Sequence, residues 1–211
     1  MPMQAIDGIF YIVVLIMSVV VHEVAHGYTA YLLGDNTAKN SGRLTLNPIK
    51  HLDPFGSVIL PLLLVFMNAG FVIGWAKPVP YNPANLHNEK KGTFLVSIAG
   101  VIVNLILAVV FGLLIRFAPY LVGPAFIESF YKIASIIVLL NLVLALFNLI
   151  PIPPLDGSKI LFSFLPVKYR YIENFLEKWG MFLLLFFILV LWSKVSPLIF
   201  ILYKFLTGIY L

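Results

Sequence analysis

Four long apolar runs constrain what this chain of 211 residues can fold into. An α-helix needs about 20 residues to cross the hydrocarbon core of a bilayer, and each run approaches or exceeds that length. The runs lie at about residues 9–33, 94–115, 133–150 and 181–205. Hydrophobic residues make up 61% of the chain and charged residues only 11%, a balance far from that of soluble domains. The sequence therefore predicts an all-α polytopic protein of the cell membrane, with residues 1–211 forming one integral membrane domain.

A fifth apolar run, at residues 55–67, is shorter than the other four. Pro61 lies in its middle, and Asn68 and Gly70 follow it. These features are typical of a re-entrant segment as much as of a crossing. We therefore expect four to five transmembrane helices, and we favour four crossings with one re-entrant segment.

The distribution of Lys and Arg supports the re-entrant interpretation. If the 55–67 run does not cross, then residues 34–92, with six basic residues, share a membrane face with residues 151–180, which have four. The opposite face receives the amino terminus, which has no Lys or Arg, and the 117–130 loop, which is flanked by one basic residue on each side. Such an excess is typical of a cytoplasmic face. The basic residues are scattered between apolar runs, so the net charge of +5 does not indicate a nucleic-acid partner.

The first apolar run contains the sequence HEVAH, in which His22, Glu23 and His26 form an H-E-x-x-H motif. On a helix the i, i+4 spacing places both imidazoles on one face, where they can share one metal ion. Glu23 is adjacent to the first imidazole and is well placed to act as a general base on water. The chain has no cysteine, so every metal ligand must come from His or carboxylate side chains, a set that suits Zn²⁺.

Two histidines leave a catalytic zinc site one protein ligand short. We consider as candidates Asp7, His51, His87, Glu128, Asp156, Glu173 and Glu177. Asp156 is favoured because it lies in FNLIPIPPLDGSKI, where three prolines end the third crossing and a glycine permits a turn. Irregular backbone of this kind can direct a carboxylate into a cavity. Asp156 shares a membrane face with the histidine pair only if the 55–67 run does not cross.

With these residues in place, the sequence resembles the site-2 protease family of intramembrane zinc metalloproteases, in its minimal bacterial and archaeal form. The likeness covers nearly the whole chain and rests on three blocks: HEVAHGYTAYLLGDNTAKNSGRLTLNPIKHLDPFGS, GWAKPVPYN and FNLIPIPPLDG. One position departs from the family pattern, because SIAGVIVN has Val101 where proline is usual, with Asn104 retained. No stretch is long enough for the PDZ or CBS module that many relatives carry.

The resemblance implies that His22, His26 and Asp156 bind one Zn²⁺ per chain. It also implies that Glu23 is the catalytic base and that Asn148 contacts the substrate carbonyl or the developing oxyanion. The activity implied is hydrolysis of peptide bonds in or near the transmembrane segments of other proteins within the lipid bilayer. In this family such cleavage serves transmembrane signalling or the removal of leftover signal peptides.

A substrate helix has to unwind before its peptide bonds can be attacked, and a strand edge is one way to hold it extended. The stretches GRLTLNP, at 42–48, and FVIGWAKPVPYN, at 71–82, are rich in β-forming residues and are punctuated by glycine and proline. We therefore expect short β-strands near the active site, to which a substrate adds as a further strand.

Three alternatives remain open on the sequence alone. One is a scaffold that captures membrane segments without cleaving them, which the presence of Glu23 disfavours. Another class of membrane metalloprotease takes its third ligand from a glutamate on a later helix, which here would be Glu173 or Glu177. A membrane carrier or channel for metal ions would use the intramembrane His and Asp side chains as a transit site. Such a carrier would hydrolyse no peptide bond.

Overall fold

The computed structural model describes residues 2–59, 63, 66–67, 76–121, 123 and 127–209. Within those ranges the chain forms α-helices and short turns, and no β-strand. The helices are α1 (Pro2–Leu32), α2 (Thr37–Asn40), α3 (Glu89–Leu121), α4 (Ile127–Asn148), α5 (Asp156–Phe164), α6 (Arg170–Phe186) and α7 (Trp192–Thr207). Two π-helical segments are present, Pro54–Ile59 and Phe187–Leu191, and the second joins α6 to α7.

Among the described residues, four stretches of helix are long and apolar enough to cross a membrane, as the four apolar runs predict. They are Phe10–Leu32, Glu89–Tyr120, Ile127–Asn148 and Arg170–Thr207. The all-α polytopic fold is therefore confirmed. The last three of these stretches are longer than the corresponding apolar runs of the sequence. The departure from the family pattern at Val101 does not interrupt α3, which begins twelve residues earlier. The start of α3 is capped by Asn88, whose side chain accepts a hydrogen bond from Lys91 N at 3.0 Å.

The carboxyl end of α1 is closed by a Schellman motif. Asp35 N donates to Ala30 O at 3.0 Å and Gly34 N donates to Tyr31 O at 3.1 Å. The motif requires a left-handed residue, and Gly34 supplies it with φ of 108° because a glycine has no Cβ to clash there. The chain therefore turns sharply away from α1 at this point.

Asp35, the residue after this turn, ties the end of α1 to the loop that precedes α3. Its fully buried carboxylate accepts hydrogen bonds from Asn82 N at 2.7 Å, from Asn85 Nδ2 at 2.9 Å and from Thr37 N at 3.1 Å. Burial by itself raises the pKa of the Asp35 carboxyl, but the hydrogen bonds from Asn85, Thr37 and Asn82 lower it below its usual value. The ionised side chain is a structural link between distant parts of the chain.

The segment between α1 and α3 begins and ends at the same end of the helical bundle. His87 N donates to Leu33 O at 3.0 Å, and Ala30, Leu86 and Val96 form a small buried cluster beside this bond. The segment therefore makes no net crossing, in agreement with the distribution of Lys and Arg. Most of the 55–67 run lies outside the described residues, so the re-entrant segment itself remains a prediction.

The expected β-strands are not confirmed. Residues 42–48 form turns and irregular backbone, and 71–75 lie outside the described residues. What holds 42–48 in place is a side chain: Arg43 Nη2 donates to Lys77 O at 2.6 Å. A side-chain bond of this kind holds the two segments side by side without the backbone ladder that defines a sheet.

The core of the bundle is shared by α3, α4 and α7. Its buried residues are Ala108, Ile115, Ala134, Val138, Leu142, Ile199 and Tyr203. A hydrogen bond of 2.7 Å between Ser135 Oγ and the Tyr203 hydroxyl links α4 to α7 in the same region. Small residues on α3 and α4 allow close approach of the two helices, which is typical of helix packing in membranes. α1 packs against α3 and α4, so one of its faces is directed into the bundle.

This topology predicts that residues 34–59, 76–88 and 149–169 lie on one membrane face and residue 123 on the other. The chain has no cysteine, so single exposed positions can be replaced without background. We expect Gly123→Cys to react with an impermeant maleimide in intact cells, and Asn40→Cys and Lys168→Cys to react only after permeabilisation. Labelling of Asn40→Cys and Lys168→Cys from opposite faces would contradict the topology.

Candidate metal centre

The structure brings His22, His26 and Asp156 together, although the carboxylate is 130 residues from the nearer histidine. Both His22 and His26 lie on the inward face of α1, and all three side chains are more than nine-tenths buried. The distance from Asp156 Oδ2 is 3.0 Å to His22 Nε2 and 3.1 Å to His26 Nε2, and the two Nε2 atoms are 3.0 Å apart. Among the described residues, this is the one cluster of three His, Asp or Glu side chains suited to a metal ion.

The proline-rich turn after α4 delivers Asp156 to the histidines. α4 ends at Asn148, the turn spans residues 149–155, and α5 begins at Asp156. Gly157 is required for this close packing, because a Cβ there would lie 2.4 Å from the carbonyl oxygens of Leu149 and Ile150. The carboxylate stands in the first turn of α5, where the helix dipole favours negative charge.

The protonation of Asp156 follows from its neighbours. The Lys159 ammonium lies beside the carboxyl group, with Nζ 3.9 Å from Asp156 Oδ1, and its positive charge favours the ionised form. Asp156 therefore faces the two rings as a carboxylate.

Each imidazole presents its Nε2 atom to the cluster because its Nδ1 atom is occupied elsewhere. His22 Nδ1 donates to Asn104 Oδ1 at 2.6 Å, and His26 Nδ1 donates to Val96 O at 2.6 Å. With the ring hydrogens on Nδ1, both Nε2 atoms carry lone pairs and face a carboxylate oxygen. Ligands about 2.0–2.1 Å from a tetrahedral zinc ion stand about 3.3 Å apart, close to the separations found here. The three side chains therefore fit Zn²⁺.

Gly100 on α3 is a feature of the site that the sequence analysis missed. A Cβ at this position would lie 2.5 Å from His22 Cε1 and 2.6 Å from His26 Nε2. The absence of a side chain therefore lets α3 pack directly on both rings. The Ala-Gly pair in the otherwise apolar SIAGVIVN block is the sequence signal that points to such a close approach.

Glu23, the remaining residue of the H-E-x-x-H motif, lies beside the cluster on the wall of a cavity. The cavity is lined by Glu23, His26, Pro78, Val79, Tyr81, Val96, Ser97, Asn148, Pro154, Asp156 and Lys159. Glu23 Oε2 accepts a hydrogen bond from Val79 N at 2.8 Å, which fixes the direction of the carboxylate. The Arg43 side chain holds the preceding carbonyls, of Lys77 and Pro78, at 2.6 and 3.2 Å. The main-chain N–H of Val79 therefore orients the Glu23 carboxylate, a role that could not be predicted from the sequence.

Asn148 lies at the last residue of α4 and lines the same cavity. Its Nδ2 atom donates to Leu144 O at 3.0 Å, which uses one of the two amide hydrogens. Tyr81 and Lys159 also line the cavity and were not among the sequence candidates; the Lys159 ammonium is 5.6 Å from the Tyr81 ring centroid. Burial and the Asp156 charge raise the pKa of the Tyr81 hydroxyl, so it remains a hydrogen-bond donor.

The other ligand candidates lie away from the cluster. His51 is buried, but its Nε2 donates to Thr45 O at 2.8 Å. His87 and Glu128 are exposed, and so is Glu177 on α6. None of these side chains belongs to the described metal-binding group, and neither does that of Glu173. The Asp7 side chain lies outside the described part of the structure.

The fold and the site together define a class: a polytopic helical membrane protein with a buried His/His/Asp cluster beside a glutamate. The sequence model of Peptidase family M50 matches residues 118–191. The chain is 47% identical over 182 residues to "Putative zinc metalloprotease YwhC" of Bacillus subtilis, which covers 84% of this chain and 80% of that protein. The chain therefore belongs to peptidase family M50, and the resemblance to the site-2 proteases is confirmed.

More distant relatives carry similar names. The chain is 33% identical over 152 residues to "Putative zinc metalloprotease Rip2" of Mycolicibacterium smegmatis, covering 71% of this chain and 56% of that protein. It is 28% identical over 162 residues to "Zinc metalloprotease MJ0392" of Methanocaldococcus jannaschii, covering 77% and 36%. The chain thus spans about half of Rip2 and about a third of MJ0392. No solved structure matches the chain.

Replacing Gly100 with alanine is expected to disrupt metal binding. The added methyl would overlap both imidazoles, so we expect zinc affinity, measured by chelator competition in detergent, to fall about 10–100-fold. The matched control is Gly112→Ala on the same helix, where a Cβ would instead meet the Leu206 side chain at 2.8 Å. That control should alter thermal stability and leave zinc affinity unchanged. Equal zinc affinity in the parent and in Gly100→Ala would refute the close approach.

Proposed function

We propose that this protein is an intramembrane zinc metalloprotease that hydrolyses peptide bonds in or near transmembrane segments of other proteins of the cell membrane. The observation that carries the proposal is the convergence of His22, His26 and Asp156 beside the Glu23 carboxylate at one end of a membrane-spanning bundle. The relatives support it through their names, which contain the words zinc metalloprotease. We propose that this cleavage serves transmembrane signalling or the removal of signal-peptide remnants, the two roles known in this family.

His22, His26 and Asp156 are the residues that would hold one Zn²⁺ per chain. When bound, the ion would polarise a substrate carbonyl and lower the pKa of water to about 7. The two imidazoles and the carboxylate together carry one negative charge, so they compensate only half of the charge of the ion. His26 and Asp156 line the cavity, so water and substrate could reach an ion held by these residues.

Glu23 is the proposed general base. Its carboxylate would take a proton from the attacking water and then deliver that proton to the nitrogen of the leaving amine. The hydrogen bond from Val79 N occupies Oε2, so Oε1 is the oxygen available for this transfer. The position of the side chain next to His22 in sequence and beside His26 in the cavity suits this role.

Asn148 is the proposed partner of the substrate carbonyl. An amide nitrogen has two hydrogens, and only one of them is used in the bond to Leu144 O. The second can donate to the oxygen that becomes negative during attack, which stabilises the tetrahedral state. Tyr81 and Lys159 supply further donors on the wall of the same cavity.

The substrate would reach this cavity as a locally unwound segment. A peptide bond inside a helix is screened by its own turns, so the substrate has to be extended before Glu23 can act. Residues 76–82 run past Glu23 in irregular backbone and are fixed by Arg43, which supports their use as a docking edge. We also propose that the 55–67 run is re-entrant on the cytoplasmic face, which is supported by the hydrogen bond from His87 N to Leu33 O.

Separate removal of the base and of the third ligand tests the proposal. We expect Glu23→Gln to lower cleavage of a single-span substrate in detergent by about 10²–10⁴-fold, with zinc content unchanged. Asp156→Ala should lose zinc, whereas Glu173→Ala, the matched acid on α6, should keep both zinc and activity. Full activity in Glu23→Gln would overturn the catalytic assignment. Metal flux without any peptide hydrolysis in the parent would favour the carrier instead.

A further inference from the structure

A chain of buried hydrogen bonds runs from His22 through three helices. His22 Nδ1 donates to Asn104 Oδ1 on α3 at 2.6 Å, and Asn104 Nδ2 donates to Asn141 Oδ1 on α4 at 2.8 Å. Asn141 Nδ2 then donates to Ile137 O at 2.8 Å and to Ser18 Oγ on α1 at 3.0 Å. Asn104 and Asn141 are fully buried, and Ser18 is 5% exposed, so water does not compete for these bonds.

We propose that Asn104 and Asn141 are positioning residues that determine which nitrogen of His22 carries its hydrogen, and thereby present Nε2 to the metal. We call the hydrogen-bonded series His22, Asn104, Asn141 and Ile137 O the asparagine relay. The proposal rests on the proposed function to the extent that His22 is a zinc ligand. It explains the orientation of His22 by two residues that lie outside the metal-binding cluster.

The direction of the asparagine relay is set by a main-chain carbonyl. A carbonyl oxygen can only accept, so the Asn141 amide must turn its nitrogen toward Ile137 O. The Asn141 oxygen then faces Asn104 and requires a donor there, so the Asn104 amide turns its nitrogen toward α4. Its oxygen consequently faces His22 and accepts a hydrogen from Nδ1. Each bond leaves one orientation for the next group, and the series ends with a lone pair on His22 Nε2.

The two histidines reach the same state by different routes. His26 Nδ1 donates directly to the main-chain carbonyl of Val96, which cannot reverse its role. His22 Nδ1 donates instead to the Asn104 side chain and therefore depends on two amide side chains, each of which offers either an oxygen or a nitrogen depending on its rotation. The imidazole of His22 is therefore the ligand whose hydrogen position depends on residues elsewhere in the bundle.

The asparagine relay also links the metal site to assembly of the bundle. Asn104 lies on α3 and Asn141 on α4, whereas His22 and Ser18, which accepts a hydrogen bond from Asn141, lie one turn apart on α1. All three helices have to be packed together before Asn104 is oriented. A zinc site with correctly directed imidazoles is therefore expected only in the assembled bundle.

Substitutions of the two asparagines test the proposal in the full-length protein purified in detergent. Without Asn141, the Asn104 amide is free to rotate and can offer its nitrogen to His22, which then carries its hydrogen on Nε2. We expect Asn141→Leu to weaken Zn²⁺ binding about 10–100-fold, the range found for outer-shell partners of metal ligands. In metal-free protein labelled with ¹⁵N-histidine, Nδ1 of His22 should carry a hydrogen in the parent and lose it in Asn141→Leu. The chain has four histidines, so these signals can be assigned by substitution.

A rescue variant separates orientation from a merely structural role. A carboxylate can only accept, so Asn104→Asp directs the His22 hydrogen to Nδ1 whether or not residue 141 is an asparagine. The double variant Asn104→Asp/Asn141→Leu should therefore recover most of the zinc affinity that Asn141→Leu loses. Ser135→Ala is the matched control, since it removes another interhelical hydrogen bond, 2.7 Å long, that does not connect to His22. It should leave both zinc affinity and the His22 signal unchanged.

Three results would overturn the proposal. They are unchanged zinc affinity and His22 signal in folded Asn141→Leu, no recovery in the double variant, and equal loss in Asn104→Asp and Asn104→Leu. The last comparison decides the matter if the Asn141 variants do not fold, because it leaves residue 141 intact. If the parent protein binds no zinc, the proposed function fails, whereas the ¹⁵N signal of His22 still tests the asparagine relay.

Discussion

The structure depends on bringing three lone-pair atoms within 3.1 Å of one another in the apolar interior of a helical bundle. Two of them belong to His22 and His26 on α1, and the third belongs to Asp156 at the start of α5. Unshielded lone pairs at that distance repel one another, and a cation between them converts the repulsion into coordination. The proline-rich turn places Asp156 beside the histidines, and Gly100 allows α3 to pack against both rings.

The lipid surroundings raise the demands on every polar group near the cluster. A buried donor or acceptor without a partner is costly, and the bilayer core offers no water to supply one. Each imidazole accordingly has a hydrogen-bond acceptor at Nδ1, and Glu23 has a donor in Val79 N. Arg43 fixes the loop that carries this amide, so a residue outside the bundle contributes to the order of the cavity wall beside Glu23. The polar site is therefore built by the loops and the helices jointly.

Much of this organisation could be predicted from local sequence signals. The four crossings follow from apolar length, the histidine pair from its spacing, and Asp156 from a proline-glycine break combined with the charge asymmetry of the loops. Gly100 and the Val79 amide could not be predicted in their roles, because a glycine and a main-chain N–H have no side-chain chemistry to recognise. The strand expected at 42–48 failed to appear because Arg43 makes a side-chain bond where composition suggested a backbone ladder.

The central claim is that one zinc ion binds to two imidazoles and one carboxylate inside the membrane domain. X-ray absorption at the zinc edge of the purified protein measures that ligand set directly. We expect one zinc per chain, with two imidazole nitrogens about 2.0–2.1 Å away and carboxylate or water oxygens at about 2.0–2.2 Å. A spectrum with one or three imidazoles, or zinc bound with no multiple scattering from histidine, would contradict the account.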